Sequence, residues 1–192
     1  MIRFPNFEPD RTRYALDAST LITNAVPVAD GWGPLADLVS ISAALASECL
    51  GAIYVRTTAG AYRLIAATAT ALYELNTTDY TWTDRTGATV PACPTGDRWW
   101  FVAFGDNLIC GNLGTVPQYM AITGGTVFAD LAGSPPTTKY AWIAGEYLVL
   151  AHTTANPNRV YTSGIGDATY WTVGMRGADF QDFPDGEEIM GG

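Results

Sequence analysis

The chain has little charge for its length. Charged residues make up 15% of the 192 residues, against about 25% in average soluble domains. Such a composition is typical of a subunit that covers part of its surface in an assembly, with a compact monomer as the alternative. The charges sum to −9, which argues against a protein that reads DNA sequence, because such proteins present a basic face. If several chains enclosed a channel with acidic walls, DNA could still slide through it, because the walls would repel phosphate.

Residues suited to nucleophilic or metal chemistry are also scarce. The three cysteines, Cys49, Cys93 and Cys110, are odd in number and form no C-x-x-C pair, so neither a disulfide framework nor a zinc site is predicted. Cys110 lies in an apolar strand pattern and is expected to be buried. His152 is the only histidine, and the nearby Ser163 lacks the G-x-S-x-G pattern of a nucleophile elbow. We therefore expect no enzymatic activity, no cofactor and no metal, with His152 at a strand end or in a loop.

No segment has the pattern of a targeting or membrane-spanning sequence. The N-terminus lacks the apolar stretch of a signal peptide, and no run approaches the ~18 apolar residues of a membrane span. The sequence therefore predicts synthesis in a reducing cytosol and no membrane insertion by this chain.

The sequence does contain a repeat. The segment Gly105-Asp106-Asn107-Leu108-Ile109-Cys110 returns as Gly145-Glu146-Tyr147-Leu148-Val149-Leu150, with a looser copy at Gly60-Ala61-Tyr62-Arg63-Leu64-Ile65. Each copy is followed by a tyrosine and then an aromatic residue: Tyr73 and Trp82, Tyr119 and Phe128, Tyr161 and Trp171. A β-rich unit that recurs every ~40–45 residues is typical of propeller blades.

The repeat predicts an all-β fold of β-propeller-like, antiparallel blades. Residues 1–48 are expected to form an extended N-terminal arm, with a short helix favoured over 41–50 by its Ala and Leu content. Residues 49–175 are expected to form about three blades, and residues 176–192 an acidic tail that begins a further one. Three blades do not close a propeller, which usually has 4–8. The propeller is therefore either incomplete or completed by other chains.

Two groups of residues are candidates for contacts. Aromatic residues spread singly along the arm are expected to lie in grooves of its own domain or of a neighbouring subunit: Phe4, Phe7, Tyr14 and Trp32. The tail is expected to form a solvated acidic loop: Asp179, Asp182, Asp185, Glu187 and Glu188. Calcium binding by these carboxylates is the weaker alternative, because EF-hand ligands occupy every second position. The six tryptophans are expected in the core, with sugar stacking as the alternative.

Several motifs together resemble one protein family. They are Phe4-Pro5-Asn6-Phe7-Glu8-Pro9-Asp10, then Asn24-Ala25-Val26-Pro27 with Gly31-Trp32-Gly33-Pro34, then Arg159-Val160-Tyr161-Thr162-Ser163 with Trp171, and finally Asp185-Gly186-Glu187-Glu188-Ile189. With the repeat, they resemble the tail nozzle proteins of short-tailed bacteriophages, which stabilise packaged DNA at the head–tail junction. The chain is shorter than such proteins, which are typically several hundred residues long.

The resemblance implies a non-enzymatic virion protein made in the host cytoplasm. It implies a homo-oligomeric ring, usually a hexamer, below the portal and adaptor, through which double-stranded DNA passes without sequence recognition. It also implies an attachment surface for tail fibre or spike proteins. Two alternatives stay open: a carbohydrate- or receptor-binding propeller module of a phage tail, which would expose its tryptophans in a row, and a glycoside hydrolase fragment, which would need a carboxylate pair in a cleft.

Overall fold

A computed structural model of the chain describes residues 6–10, 18–19, 21, 23–28, 31–37, 39–184 and 186–192. The described residues form β-strands and loops and contain no helix. The expected all-β fold is therefore confirmed, while the helix favoured over residues 41–50 is wrong. That segment is a mostly exposed loop, and a ten-residue stretch gains little from helix propensity without a surface on which to pack an apolar side.

The chain divides into two units, Met1–Ile41 and Ser42–Gly192. In the first unit, β1 (Asn6–Phe7) pairs in parallel with β2 (Ala18–Ser19). A second pair is antiparallel and joins β3 (Ala25–Val28) to β4 (Gly31–Pro34). No residue of this unit whose exposure is described is buried, so those residues form no hydrophobic core of their own.

The second unit contains three four-stranded sheets, each an antiparallel meander in chain order. The first sheet consists of β5 (Gly51–Arg56), β6 (Tyr62–Ala67), β7 (Leu72–Leu75) and β8 (Trp82–Asp84). The second consists of β9 (Trp100–Phe104), β10 (Asn107–Asn112), β11 (Thr115–Ala121) and β12 (Ala129–Asp130). The third consists of β13 (Tyr140–Ala144), β14 (Tyr147–Ala151), β15 (Arg159–Thr162) and β16 (Asp179–Asp182).

The sequence repeat corresponds to equivalent positions in the three sheets. Gly105 and Gly145 have φ of 58° and 60° and open the two-residue turns between the first and second strands. A positive φ at the first turn position alone is typical of a type II′ hairpin, which glycine adopts without strain. The repeated tyrosines all lie on third strands: Tyr73, Tyr119 and Tyr161.

The middle sheet is buried on both faces. Leu108, Cys110 and Met120 pack towards the first sheet in one core, whereas Ile109 and Val102 pack towards the third sheet in another. This follows from strand alternation, which points successive side chains to opposite faces.

Two neighbouring tryptophans link these cores to the flanking sheets. Trp99 packs in the first core and donates its indole N–H to the carbonyl of Thr68 at 2.9 Å. Trp100 packs in the second core and donates to the carbonyl of Thr138 at 2.8 Å. Because each indole is buried with its N–H satisfied, both residues fix the middle sheet against its neighbours without a polar desolvation cost.

The tail differs from the expectation that it begins a further repeat. Residues 179–182 form β16, which pairs with β15 and completes the third sheet. The third repeat therefore extends beyond residue 175, and residues 163–178 form the long connection between its last two strands. The segment 188–190, expected to enter another strand, contains no strand.

Candidate functional site

The arm aromatics that the structure describes contact each other. The rings of Phe7 and Trp32 lie edge to face with centroids 6.2 Å apart. Phe7 keeps 45% of its surface exposed, which leaves room for a further contact. Phe4 and Tyr14 lie outside the described residues.

The expected acidic loop is divided between a strand and the C-terminal segment. Asp179 and Asp182 lie on β16. The guanidinium of Arg159 pairs with the Asp182 carboxylate through two hydrogen bonds, and this contact lowers the pKa of Asp182. Asp185 lies outside the described residues, and Glu187 and Glu188 are exposed. The tail is therefore not a uniform acidic loop, because one of its carboxylates is neutralised across the sheet.

The C-terminal segment, residues 186–192, lies against part of the outer face of the third sheet. Its Ile189 N–H donates to the Pro157 carbonyl at 2.9 Å, and its Gly192 lies against the indole of Trp142. His152 directly follows β14, as expected for a strand-end residue, and its Nδ1 is 3.0 Å from the Ile189 carbonyl oxygen. Its Nε2 lies 3.8 Å from a Glu188 carboxylate oxygen. The only histidine thus helps to hold the segment in place. Its partners in these two contacts are Ile189 and Glu188, and neither is a serine or a cysteine.

A half-buried charge network joins the first and second sheets. Glu74 on β7 accepts two hydrogen bonds from Arg63 at 2.7 and 2.9 Å and one from Arg85 at 2.7 Å. Arg63 also donates to the carbonyls of Ala121, Ile122 and Gly125 in the second sheet and its following loop. Burial would raise the pKa of Glu74, but the hydrogen bonds and charges of Arg63 and Arg85 outweigh it and lower that pKa.

A cleft of about 390 Å³ opens between the second and third sheets. Its apolar residues include Ile109 and Leu131, its aromatic residues are Phe104 and Tyr119, and its polar ones include Asp106, Asn107, Asp167 and Thr169. The Thr169 hydroxyl and N–H both donate to Asp167, which lowers the pKa of that carboxyl. The volume lies within the range of small-molecule sites, roughly 300–1,000 Å³.

The part of the outer face of the first sheet next to its first hairpin is exposed and aromatic. Val55, Ile65 and Leu72 point into the core, so the alternate residues on the same strands point outward. The outward residues next to the first hairpin are Tyr54, Arg56, Tyr62 and Leu64, here named the tyrosine face. Tyr54 and Tyr62 are 70% and 61% exposed, with ring centroids 6.3 Å apart, and the Arg56 guanidinium lies 5.8 Å from the Tyr62 ring.

The tryptophans do not form an exposed row. Trp99 and Trp100 are buried, and the other four are half-buried. The Trp82 indole donates to the Ala43 carbonyl, and that of Trp171 to the Ala168 carbonyl. The stacking platform that would mark a sugar-binding face is therefore absent from these six residues, all of which are described.

Sequence reasoning missed the Glu74 network and the tyrosine face. The signal for the network was present, because Arg63 and Glu74 interrupt strands that are otherwise apolar on the same side. Cys110 is fully buried as expected, and burial raises the pKa of its thiol.

Among the described residues, no cluster of three or more His, Cys, Asp or Glu side chains has the arrangement to hold a metal ion. Nor do those residues form a helix with the length and apolar composition to span a bilayer. No protein-family model and no curated protein matches the chain.

Proposed function

We propose that the protein is a non-enzymatic structural component of a bacteriophage tail, nozzle-like in its role at the head–tail junction or tail tip. In this proposal the three sheets are propeller blades, the chain assembles into a ring, and the ring contributes to the conduit through which DNA leaves. Neighbouring tail proteins would attach to its outside.

One observation carries this proposal: three meander sheets stack face to face, with their first strands next to each other. β5 approaches β9, and β9 approaches β13, while the later strands extend away in chain order. This packing supports the proposal, because neighbouring blades of a propeller also meet through their first strands. In this proposal other subunits complete the ring, because three blades do not close a propeller by themselves.

The net negative charge of the chain also supports a role in a DNA conduit. The chain carries 19 carboxylate residues and 10 basic ones. A wall with a negative surplus does not accumulate the phosphate contacts that give DNA-binding proteins their affinity, so DNA would slide past it.

Deleting residues 1–34 is expected to abolish assembly while leaving near-native β-sheet content. The physical reason is that the arm contributes no buried core in its described part, whereas the second unit contains both cores. Light scattering gives the mass of each species, and circular dichroism gives its strand content. A deletion variant that still forms the full-length oligomer would remove the arm from the assembly mechanism.

The cleft favours a second candidate, a carbohydrate- or receptor-binding module. It combines aromatic walls with carboxylate and amide groups, which is the chemistry that orients sugar hydroxyls. If the cleft binds sugar, Asn107→Ala should weaken oligosaccharide binding by about tenfold, the ratio that corresponds to roughly one net hydrogen bond. Isothermal titration against bacterial surface oligosaccharides measures this. Gln181→Ala, exposed on β16 outside the cleft, is the control, and equal losses in both variants would exclude the cleft.

A further inference from the structure

The junction between the first and second sheets and the junction between the second and third are built from equivalent positions. Ile65 on β6 and Ile109 on β10 each pack in the core that separates their sheet from the next one. Ile65 lies opposite Glu74 on β7, and Ile109 lies opposite Tyr119 on β11. Glu74 and Tyr119 therefore occupy the same position in their sheets.

Two further pairs of equivalent positions follow from the same register. Arg63 and Asn107 lie two residues before those isoleucines and on the same face of their sheets, because strand side chains alternate. Arg85 and Leu131 directly follow the last strands, and each donates its backbone N–H to the third-strand carbonyl two residues before the glutamate or the tyrosine. The first sheet therefore has three charged side chains at positions where the second has none: Arg63, Glu74 and Arg85 against Asn107, Tyr119 and Leu131.

At the first junction these charged side chains occupy the space between the sheets. The Arg63 guanidinium pairs with the Glu74 carboxylate and donates to three backbone carbonyls at the end of β11 and in the loop after it. Glu74 also accepts a hydrogen bond from Arg85. An arginine of the first sheet thus bridges to the second, with its charge paired on its own sheet.

At the second junction the same place is an open cleft. The cleft of about 390 Å³ is lined by Asn107, Tyr119 and Leu131, the residues that stand in place of the charge network. An asparagine side chain is shorter than that of arginine, so the second sheet contributes no guanidinium at this place. The opposite wall is formed by residues 166–169 in the loop after β15. That loop corresponds to the one after β11, because each donates a backbone N–H to the second residue of the preceding hairpin turn.

The cleft carries negative charge without a matching positive charge in its walls. Asp106 and Asp167 are among its lining residues, and no basic side chain is among the described residues that line it. The Arg176 guanidinium lies 3.6 Å from an Asp167 carboxylate oxygen, but its side chain is 63% exposed and largely in solvent. The aromatic side chains of the cleft add a surface that attracts a cation to its π-system. The cleft therefore favours a cationic ligand.

We infer that this cleft binds the side chain of an arginine presented by another protein chain. Its guanidinium takes the place that Arg63 occupies at the first junction and pairs with the Asp106 and Asp167 carboxylates. A guanidinium suits the cleft better than an ammonium, because it is planar, stacks on aromatic rings and pairs with a carboxylate through two hydrogen bonds. The inference rests on the proposed function only for the identity of the partner, and it assigns the cleft a ligand other than the sugar of the second candidate.

Titration with a short peptide tests the inference. The probe is acetyl-Gly-Arg-Gly-amide, and NMR of the nitrogen-15-labelled protein follows its binding. The matched probe contains citrulline, which keeps the shape of arginine and lacks its charge. We expect saturable shifts of the Asn107 and Thr169 backbone N–H signals with the arginine peptide, and binding at least about tenfold weaker with the citrulline peptide, because a charged hydrogen-bonded pair is lost. Equal binding of the two peptides would overturn the inference, as would shifts produced by bacterial surface oligosaccharides and not by the arginine peptide.

Variants of the protein provide the second measurement. Asp167→Asn keeps a hydrogen-bond acceptor but removes the charge, and should weaken binding of the arginine peptide by at least about tenfold. Asp79→Asn is the matched control, because Asp79 accepts the same two hydrogen bonds, from Thr81, in a turn of the first sheet outside the cleft; it should leave binding unchanged. Asn107→Arg supplies the chain's own guanidinium to the cleft and should abolish peptide binding.

Circular dichroism shows whether each variant keeps the fold. Unchanged peptide affinity in a folded Asp167→Asn or Asn107→Arg variant would overturn the inference. The mass of the native protein from light scattering tests the proposed assembly separately. A protein that assembles without binding the peptide would contradict this inference alone, whereas a monomer that binds the peptide would contradict the assembly alone.

Discussion

Gly133→Ala is expected to lower the free energy of unfolding by about 2–5 kcal/mol. Gly133 lies in the connection between the second and third sheets with φ of 85°. A Cβ atom there would come within 1.7 Å of the Thr169 carbonyl oxygen. Two costs therefore add: roughly 1–2 kcal/mol for a left-handed backbone in a residue with a side chain, and roughly 1–3 kcal/mol for overpacking against backbone that must move.

Gly124→Ala separates these two costs. Gly124 has nearly the same φ, 80°, but a Cβ atom there meets nothing within 4 Å. It should therefore lose only the backbone contribution of about 1–2 kcal/mol. Urea denaturation followed by tryptophan fluorescence measures both variants under one set of conditions. Equal losses would show that the contact between Gly133 and Thr169 is not close in solution.

Glu74→Ala is expected to cost about 2–4 kcal/mol of unfolding free energy. The substitution leaves two arginines without their carboxylate, and Arg63 has only 11% of its side chain exposed. Breaking one partner of a fully buried ion pair costs roughly 3–5 kcal/mol. The loss expected for Glu74→Ala is smaller than for a fully buried pair, because the Arg85 side chain keeps 27% exposure and water can partly solvate its charge.

Two control substitutions define what Glu74 contributes. Glu74→Gln retains the shape and one acceptor, so it should cost less than alanine and isolate the contribution of the charge. Glu48→Ala removes an exposed pair with Arg98, whose charged atoms lie 3.7 Å apart, and should change stability by less than about 1 kcal/mol. If Glu48→Ala were as costly as Glu74→Ala, burial would not be the source of the effect.

The pH dependence follows from the direction of the shift. The pKa of Glu74 is lower in the folded chain than its ordinary value of 4.5. The stability from its ionised form is therefore fully present above that ordinary value and is lost as the pH falls through the lowered folded pKa. The stability difference between the native chain and Glu74→Gln should be constant near neutral pH and shrink below about pH 4.5. A difference unchanged by acid would contradict the charge assignment.

The strands of the repeated hairpins could be predicted from the sequence because their causes are local. Glycine at positions 105 and 145 permits the tight turns, and alternating apolar residues indicate the strands on either side. The repeated segments that begin at Gly60, Gly105 and Gly145 lead into β6, β10 and β14. The position of the repeated tyrosines on third strands follows from the same spacing.

The tertiary structure alone decided the features that depend on long-range pairing. β16 follows a long connection, and its acidic sequence has no apolar alternation to indicate a strand; register with β15 and the Arg159–Asp182 pair place it there. Glu74 is an ordinary polar residue in the sequence and becomes an ion-pair centre only because strand pairing brings Arg63 on β6 and Arg85 after β8 to it. The tyrosine face is exposed because the opposite face of the same sheet is the one that packs against the second sheet. Local geometry is encoded by neighbouring residues, whereas burial and partner choice depend on which distant surfaces meet.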